Sequence, residues 1–110
     1  MDISAFLCQL GFPASYVGFP YLVYALSLVQ SDQTYLYQIF KRLYPAVAGR
    51  FGTSPACVER DLRTLVRAFW ARGGQQALER FAPCPERPTV GELIALLTIE
   101  LKKQEGLLPL

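Results

Sequence analysis

Three cysteines, nine acidic residues and no histidine are the side chains from which this 110-residue sequence would have to build a catalytic centre. Cys8, Cys57 and Cys84 stand far apart and in odd number, which suits neither a zinc motif nor a disulfide framework, so reduced thiols are expected. Cysteine and serine nucleophiles ordinarily take a histidine base, and the sequence has none to give. Glu92 falls three residues after Thr89, where it closes a helical capping box. Glu79, Glu86, Glu100 and Glu105 read as solvated positions, and no pair of carboxylates suggests acid–base work. No enzyme, metal or cofactor is expected.

The arginines carry a different chemistry. Every Lys and Arg lies at or after Lys41, and from Lys41 to Arg80 eight basic residues stand against three acidic ones, a local excess of five within a net charge of only +2. Wound at ~100° per residue, positions 55–72 set Val58, Leu62, Leu65, Val66 and Phe69 on one side. Ala56, Glu59, Arg60, Arg63 and Arg67 fall on nearly the opposite side. One face anchors a helix and the other presents cations, as in a helix-turn-helix whose second helix enters the major groove with its first residues at base edges.

That placement puts Ala56, Cys57, Glu59 and Arg60 at the bases, and Thr53, Ser54, Arg63 and Arg67 at the backbone. The Arg60 guanidinium matches guanine O6 and N7 in bidentate fashion, and Glu59 matches the N4 donor of cytosine. Arg63 and Arg67 suit phosphates. The same spacing also describes a solvated face in which Glu59 supports Arg63 at i,i+4, and spacing alone leaves both readings open.

These residues need rigid elements behind them. Apolar residues recur at helical spacing with no convincing alternation, so the fold class is all-α, a single domain of six helical pieces. The first runs from about Ile3 to Leu10, between an Asp2 cap and a Gly11 stop. The second begins around Pro20 and reaches about Gln30, apolar on nearly every side. The third follows the Ser31-Asp32 turn, with Tyr35, Leu36, Ile39, Phe40 and Leu43 on one stripe, until Pro45 kinks or restarts it. A brief helix from Pro45 to Gly52 precedes Thr53-Ser54-Pro55, a hydroxyl cap with proline at the first helical position, so the helix-turn-helix spans about 45–72. The fifth covers about Gln75 to Phe81, and Pro83 to Pro88 form a loop. Thr89 starts the sixth, which carries Leu93, Ile94, Leu97 and Leu101 to about Gln104 before a frayed tail from Gly106.

Over the first forty residues only Asp2 and Asp32 are charged. Gly11, Pro13, Gly18 and Pro20 divide the uncharged run from Ile3 to Ser31 into pieces too short for a membrane span of roughly 20 apolar residues. Asp2 and the lack of a basic start argue against a secretory signal. No membrane partner and a cytoplasmic address are expected. This N-terminal third either lies in the core or offers an apolar face to a protein partner.

Several separated stretches also resemble a known family: Leu43-Tyr44-Pro45, Ala48, Phe51, Thr53, Val58-Glu59-Arg60, Arg63 and Trp70-Ala71-Arg72-Gly73. The likeness continues upstream through Gly18 and Tyr21-Leu22, and downstream through Pro88-Thr89, Glu92 and Ile94-Ala95. From about Leu10 to Glu105 the sequence is similar to the C-terminal DNA-binding domain of the master sporulation response regulator of endospore-forming bacteria. The resemblance implies a six-helix domain that binds short promoter boxes in double-stranded DNA, often as tandem dimers, and regulates transcription at entry into sporulation. It also implies base-reading roles for Glu59 and Arg60 and a backbone contact for Arg63.

Two departures qualify the resemblance. Cys57 stands where the family has a base-contacting Arg, Ala56 replaces a small hydroxyl residue, and Asp61 adds a negative charge near the groove-facing side. The loss of a bidentate Arg–guanine pair is worth ~1–3 kcal/mol of discrimination, so altered or weakened specificity is expected. The family's regulator also carries a receiver domain ahead of this module, whereas here Met1 lies a few residues before it. The expectation is a stand-alone effector domain, with a fragment of a longer protein as the alternative. A protein-interaction paralogue is the other functional reading, because Tyr21, Val23, Tyr24 and Ser27 replace charges that the family places on the second helix.

Overall fold

Asp2 begins the first helix as its side chain allows. Its carboxylate accepts the Ser4 N–H at 2.9 Å and opens α1 (Ile3–Leu10), which ends at Gly11. In this computed structural model, which describes residues 2–106, Phe6, Leu7 and Leu10 turn from α1 into the core. The second helix, α2 (Gly18–Ser31), starts two residues before the expected position. Pro20 therefore sits in its first turn, where a missing N–H leaves no intrahelical bond unmade. Phe19, Tyr21, Leu22, Ala25, Leu26 and Val29 are buried along it, so the uncharged N-terminal third serves mainly as core.

Residues 32–43 differ from the single third helix expected from their apolar stripe. A short 3-10 turn covers Gln33–Tyr37, Gln38 adopts φ −142° and ψ 60°, and a π-helical turn follows over Ile39–Leu43. Local polar bonds compete with the α-helical ladder here. The Asp32 carboxylate accepts both the Thr34 N–H at 3.0 Å and its hydroxyl at 2.6 Å, while Arg42 donates to Thr34 Oγ1 at 2.7 Å and lies 4.3 Å over the Tyr35 ring. The stripe is broken as a result. Leu43 is fully buried and Phe40 is 72% exposed.

The π turn runs directly into α3 (Tyr44–Phe51), with Pro45 in its first turn rather than at a kink. Gly52, at φ 67°, reverses the chain, and the Thr53 N–H returns to the Ala48 carbonyl at 3.0 Å. α4 (Pro55–Phe69) follows and passes into a second π turn at Trp70–Gly74, where Arg72 and Gly73 leave helical geometry. α5 (Gln75–Glu79) is shorter than expected, ending two residues before Phe81. The proline-rich loop leads to α6 (Val90–Gln104), whose Thr89–Glu92 capping box is formed in both directions at 2.9 and 3.2 Å.

α4 lies against α2, α3 and α6, and the buried side chains form one cluster that includes Leu22, Leu26, Leu43, Leu62, Leu65 and Leu93. Gly18 permits the closest approach: a Cβ there would run into the backbone carbonyl of Asp61. Phe12 stacks on Phe69 at 3.8 Å between ring centroids and 3° between planes, tying the loop after α1 to the end of α4. Among the described residues no helix is long and apolar enough to cross a membrane. The tail beyond Gly106 lies outside the described residues.

Candidate nucleic-acid interface

The helix pair α3–α4 is built from its turn outward. Ser54 caps α4 by accepting the Cys57 N–H at 3.1 Å, and Pro55 occupies the first helical position. Val58, Leu62, Leu65, Val66 and Phe69 are buried, as the spacing predicts. Ala56, Arg60, Arg63 and Arg67 are exposed on the other side. Thr64 joins them there, its hydroxyl donating to the Arg60 carbonyl at 3.0 Å. Helical phase alone places Thr64 on this face, although it carries no charge.

The remaining site residues sit at the margins of this arc. Ser54 is exposed at its start and Thr53 is half-buried beside it. Cys57 and Glu59 are half-buried on opposite flanks, so Glu59 is less open than the helical projection implies. Two of the three arginines are held by neighbours: Arg63 Nη2 lies 3.0 Å from Glu59 Oε2, and Arg60 Nε lies 3.4 Å from Asp61 Oδ1. Arg67 makes no ion pair among the described residues. Exposed pairs of this kind contribute only ~0–1 kcal/mol, so a phosphate or base can displace the carboxylates at small cost.

Cys57 occupies an unusual position for a thiol. The Ser54 hydroxyl, then that of Thr53, holds its pKa below the ordinary value, and the nearby Arg60 charge acts in the same direction. Asp61 raises the Arg60 pKa, so the guanidinium remains charged.

A cavity of about 580 Å³ opens beside the arc, between α4, the Ile39–Leu43 turn, Tyr44 and the start of α6. Glu59 and Arg63 line it together with Arg87, a residue outside the helix-turn-helix pattern. A basic residue two positions ahead of a capping Thr was the available signal.

On α2, Tyr21 is buried, while Val23, Tyr24 and Ser27 are half-buried. Phe51 of α3 packs against two of them, 5.1 Å from the Tyr21 ring and 6.0 Å from that of Tyr24, with Arg50 5.9 Å over Tyr24. Arg72 similarly lies 5.3 Å over Tyr16. Tyr37 is instead 83% exposed.

Residues 3–101 match the family described as sporulation initiation factor Spo0A C terminal. The match begins with α1 and continues to Leu101 in α6, so it includes the whole helix pair and its supporting core. This family is a DNA-binding effector domain of the sporulation-regulator type, associated with transcription regulation rather than catalysis. On the extent of that match, the chain belongs to the family of Spo0A C-terminal domains.

Proposed function

We propose that this chain is a sequence-specific, DNA-binding transcriptional regulator of the sporulation-regulator effector type. The observation that carries the reading is the α4 arc: Ala56, Arg60, Arg63 and Arg67 project away from five buried anchors on a helix capped by Ser54. In this reading Glu59 and Arg60 read base edges, with Ala56 and Cys57 beside them. Arg63, Arg67, Thr53 and Ser54 engage the backbone. The single domain works in the cytoplasm on promoter boxes and pairs as a homodimer on tandem sites.

Selection from a randomised duplex pool at two salt concentrations tests this function. Enrichment of one short motif is expected, with affinity falling steeply as salt rises. Arg60→Ala should relax the preference at one base position. Arg63→Ala and Arg67→Ala should weaken binding to all sequences similarly and reduce the salt slope by about 1 each. An Arg60→Ala protein with unchanged preference would remove α4 as the reading element.

A second reading takes the chain as a protein-interaction module. It rests on the uncharged α2, where Val23, Tyr24 and Ser27 border an open groove with Phe51. Salt separates the two readings, because an apolar contact survives concentrations that dissolve a phosphate contact.

A further inference from the structure

The cavity beside α4 has two kinds of wall. Ile39, Val66, Pro88 and Val90 are apolar, with Phe40 exposed at the edge and its ring 5.2 Å from that of Tyr44. Its volume of about 580 Å³ falls within the range of pockets that hold small organic molecules.

The polar part of the lining is Tyr44, Glu59, Arg63, Arg87 and Thr89. Arg63 already pairs with Glu59 at 3.0 Å, so the two nearly compensate each other. Arg87 makes no ion pair or hydrogen bond among the described residues, which leaves it the cation of this lining without a bonded partner. The capping box engages the N–H groups of Thr89 and Glu92, while those of Val90 and Gly91, at the first two helical positions, are left without partners. Glu92 lines a second recess against the proline-rich loop, which Glu86 and Arg87 border as well, although neither carboxylate comes within ion-pair distance of Arg87.

Tyr44 is an independent indication of a ligand. It is only 3% exposed, lines the cavity, and its hydroxyl has no hydrogen-bond partner among the described residues. No fully buried side-chain oxygen among the described residues lacks a partner, so this hydroxyl keeps a small contact with solvent on a residue that lines the cavity. A buried phenol left in this way is suited to donate to an acceptor that arrives from outside the chain.

We propose that this cavity binds a small amphipathic monoanion, with an aliphatic or aromatic body against Ile39, Val66 and Val90 and a carboxylate-like head on Arg87, the free α6 amides and Tyr44. One negative charge matches the cation that lacks a bonded partner. Apolar walls account for the body. A carboxylate head also competes with Glu59 for Arg63, which lies on the exposed arc of α4, so occupancy weakens DNA binding. This coupling rests on the DNA-binding reading; the site itself does not.

The test uses the DNA-free protein first. Anilinonaphthalene sulfonate, an aromatic monoanion, should bind saturably with one site per chain. Octanoate should displace it, and 1-octanol should do so at least tenfold less effectively. Amide chemical-shift changes on adding octanoate should cluster at Ile39, Tyr44, Val66, Val90 and Gly91. Arg87→Gln should weaken octanoate binding about tenfold, and Val90→Trp should fill the cavity and abolish it, with an unchanged circular dichroism spectrum as the check on folding.

Absence of octanoate displacement, shifts spread away from the cavity, or full binding by a folded Val90→Trp protein would overturn the site. Arg87→Gln that weakens DNA binding but leaves octanoate affinity intact would also overturn it, assigning Arg87 to a phosphate instead. With the selected duplex, saturating octanoate should lower affinity about tenfold in the parent, and Arg87→Gln should need about tenfold more octanoate for the same loss. Unchanged DNA affinity in the parent would overturn the coupling, whereas failure of the chain to bind any duplex would overturn the functional reading and leave the octanoate result standing.

Discussion

Replacing Gly18 with alanine tests how tightly α2 supports α4. The new Cβ would lie 2.9 Å from the Asp61 carbonyl carbon and closer still to its oxygen, with Leu65 Cβ at 3.2 Å. Backbone atoms inside a helix cannot turn aside as a long side chain can, so the two helices must part by several tenths of an ångström. Overpacking of this kind costs about 1–3 kcal/mol, and contact with backbone places Gly18→Ala toward the upper end.

Gly49 supplies the control, because it lies inside α3 with nothing within 4 Å of an added Cβ. Gly49→Ala should stabilise by roughly 0.4–1 kcal/mol through lower chain entropy and better helix propensity. Urea unfolding with a common m-value should therefore move the two midpoints in opposite directions. On heating, the melting temperature of Gly18→Ala should fall by roughly 4–8 °C per kcal/mol lost. A Gly18→Ala protein within about 0.5 kcal/mol of the parent, or a shift in the same direction as Gly49→Ala, would refute the close packing of α2 on α4.

Other expectations concern the interface and its neighbours. Cys57→Arg should tighten binding to the family's promoter box by roughly 5–150-fold, the equivalent of ~1–3 kcal/mol for one restored bidentate pair; an unchanged affinity in a binding titration would show that position 57 does not face a guanine there. Burial, with a further push from Glu59, raises the Tyr44 phenol to about 12, so the folded state favours the protonated form. The associated stability is fully present below the ordinary value of 10.0 and is lost as pH rises through about 12, on the order of 3 kcal/mol across the window. Urea unfolding at pH 9 and 11.5 should therefore show Tyr44→Phe gaining relative to the parent at the higher pH, and a constant difference would refute the assignment. Thr89→Ala should cost about 1 kcal/mol in thermal unfolding by removing the hydroxyl that accepts the Glu92 N–H. It should also move the Glu92 carboxyl, held low mainly by its bond to the Thr89 backbone, only part of the way back toward its ordinary value in an NMR titration.

The parts of the fold legible in the sequence are those decided by neighbouring residues. Asp2, Ser54 and Thr89 cap helices at the positions their side chains require, and the burial of α4 follows its apolar spacing from Val58 to Phe69. Residues 32–43 were not legible in the same way. Their apolar spacing is helical, but the Asp32–Thr34–Arg42 bonds and the Gln38 backbone redirect the chain, and a period counts neither.

The candidate site divides similarly. The exposed arginines follow from helical phase, whereas the half-buried position of Glu59 depends on the cavity that Tyr44, Ile39 and the start of α6 form beside it. Arg87 reaches that cavity from a distant stretch of sequence, and no local spacing connects it with Arg63.

The lack of charge along α2 also shapes the electric field of the molecule. α2 packs behind α4 and contributes no ionised group, so the arginine arc is backed by material that polarises weakly and holds no counter-charge. Field lines from Arg60, Arg63 and Arg67 are then less easily ended in α2 and extend preferentially into solvent, modulated by Glu59 and Asp61 at their sides. A chain with a net charge of only +2 can in this way present a directed positive potential, able to orient an approaching polyanion before any contact forms.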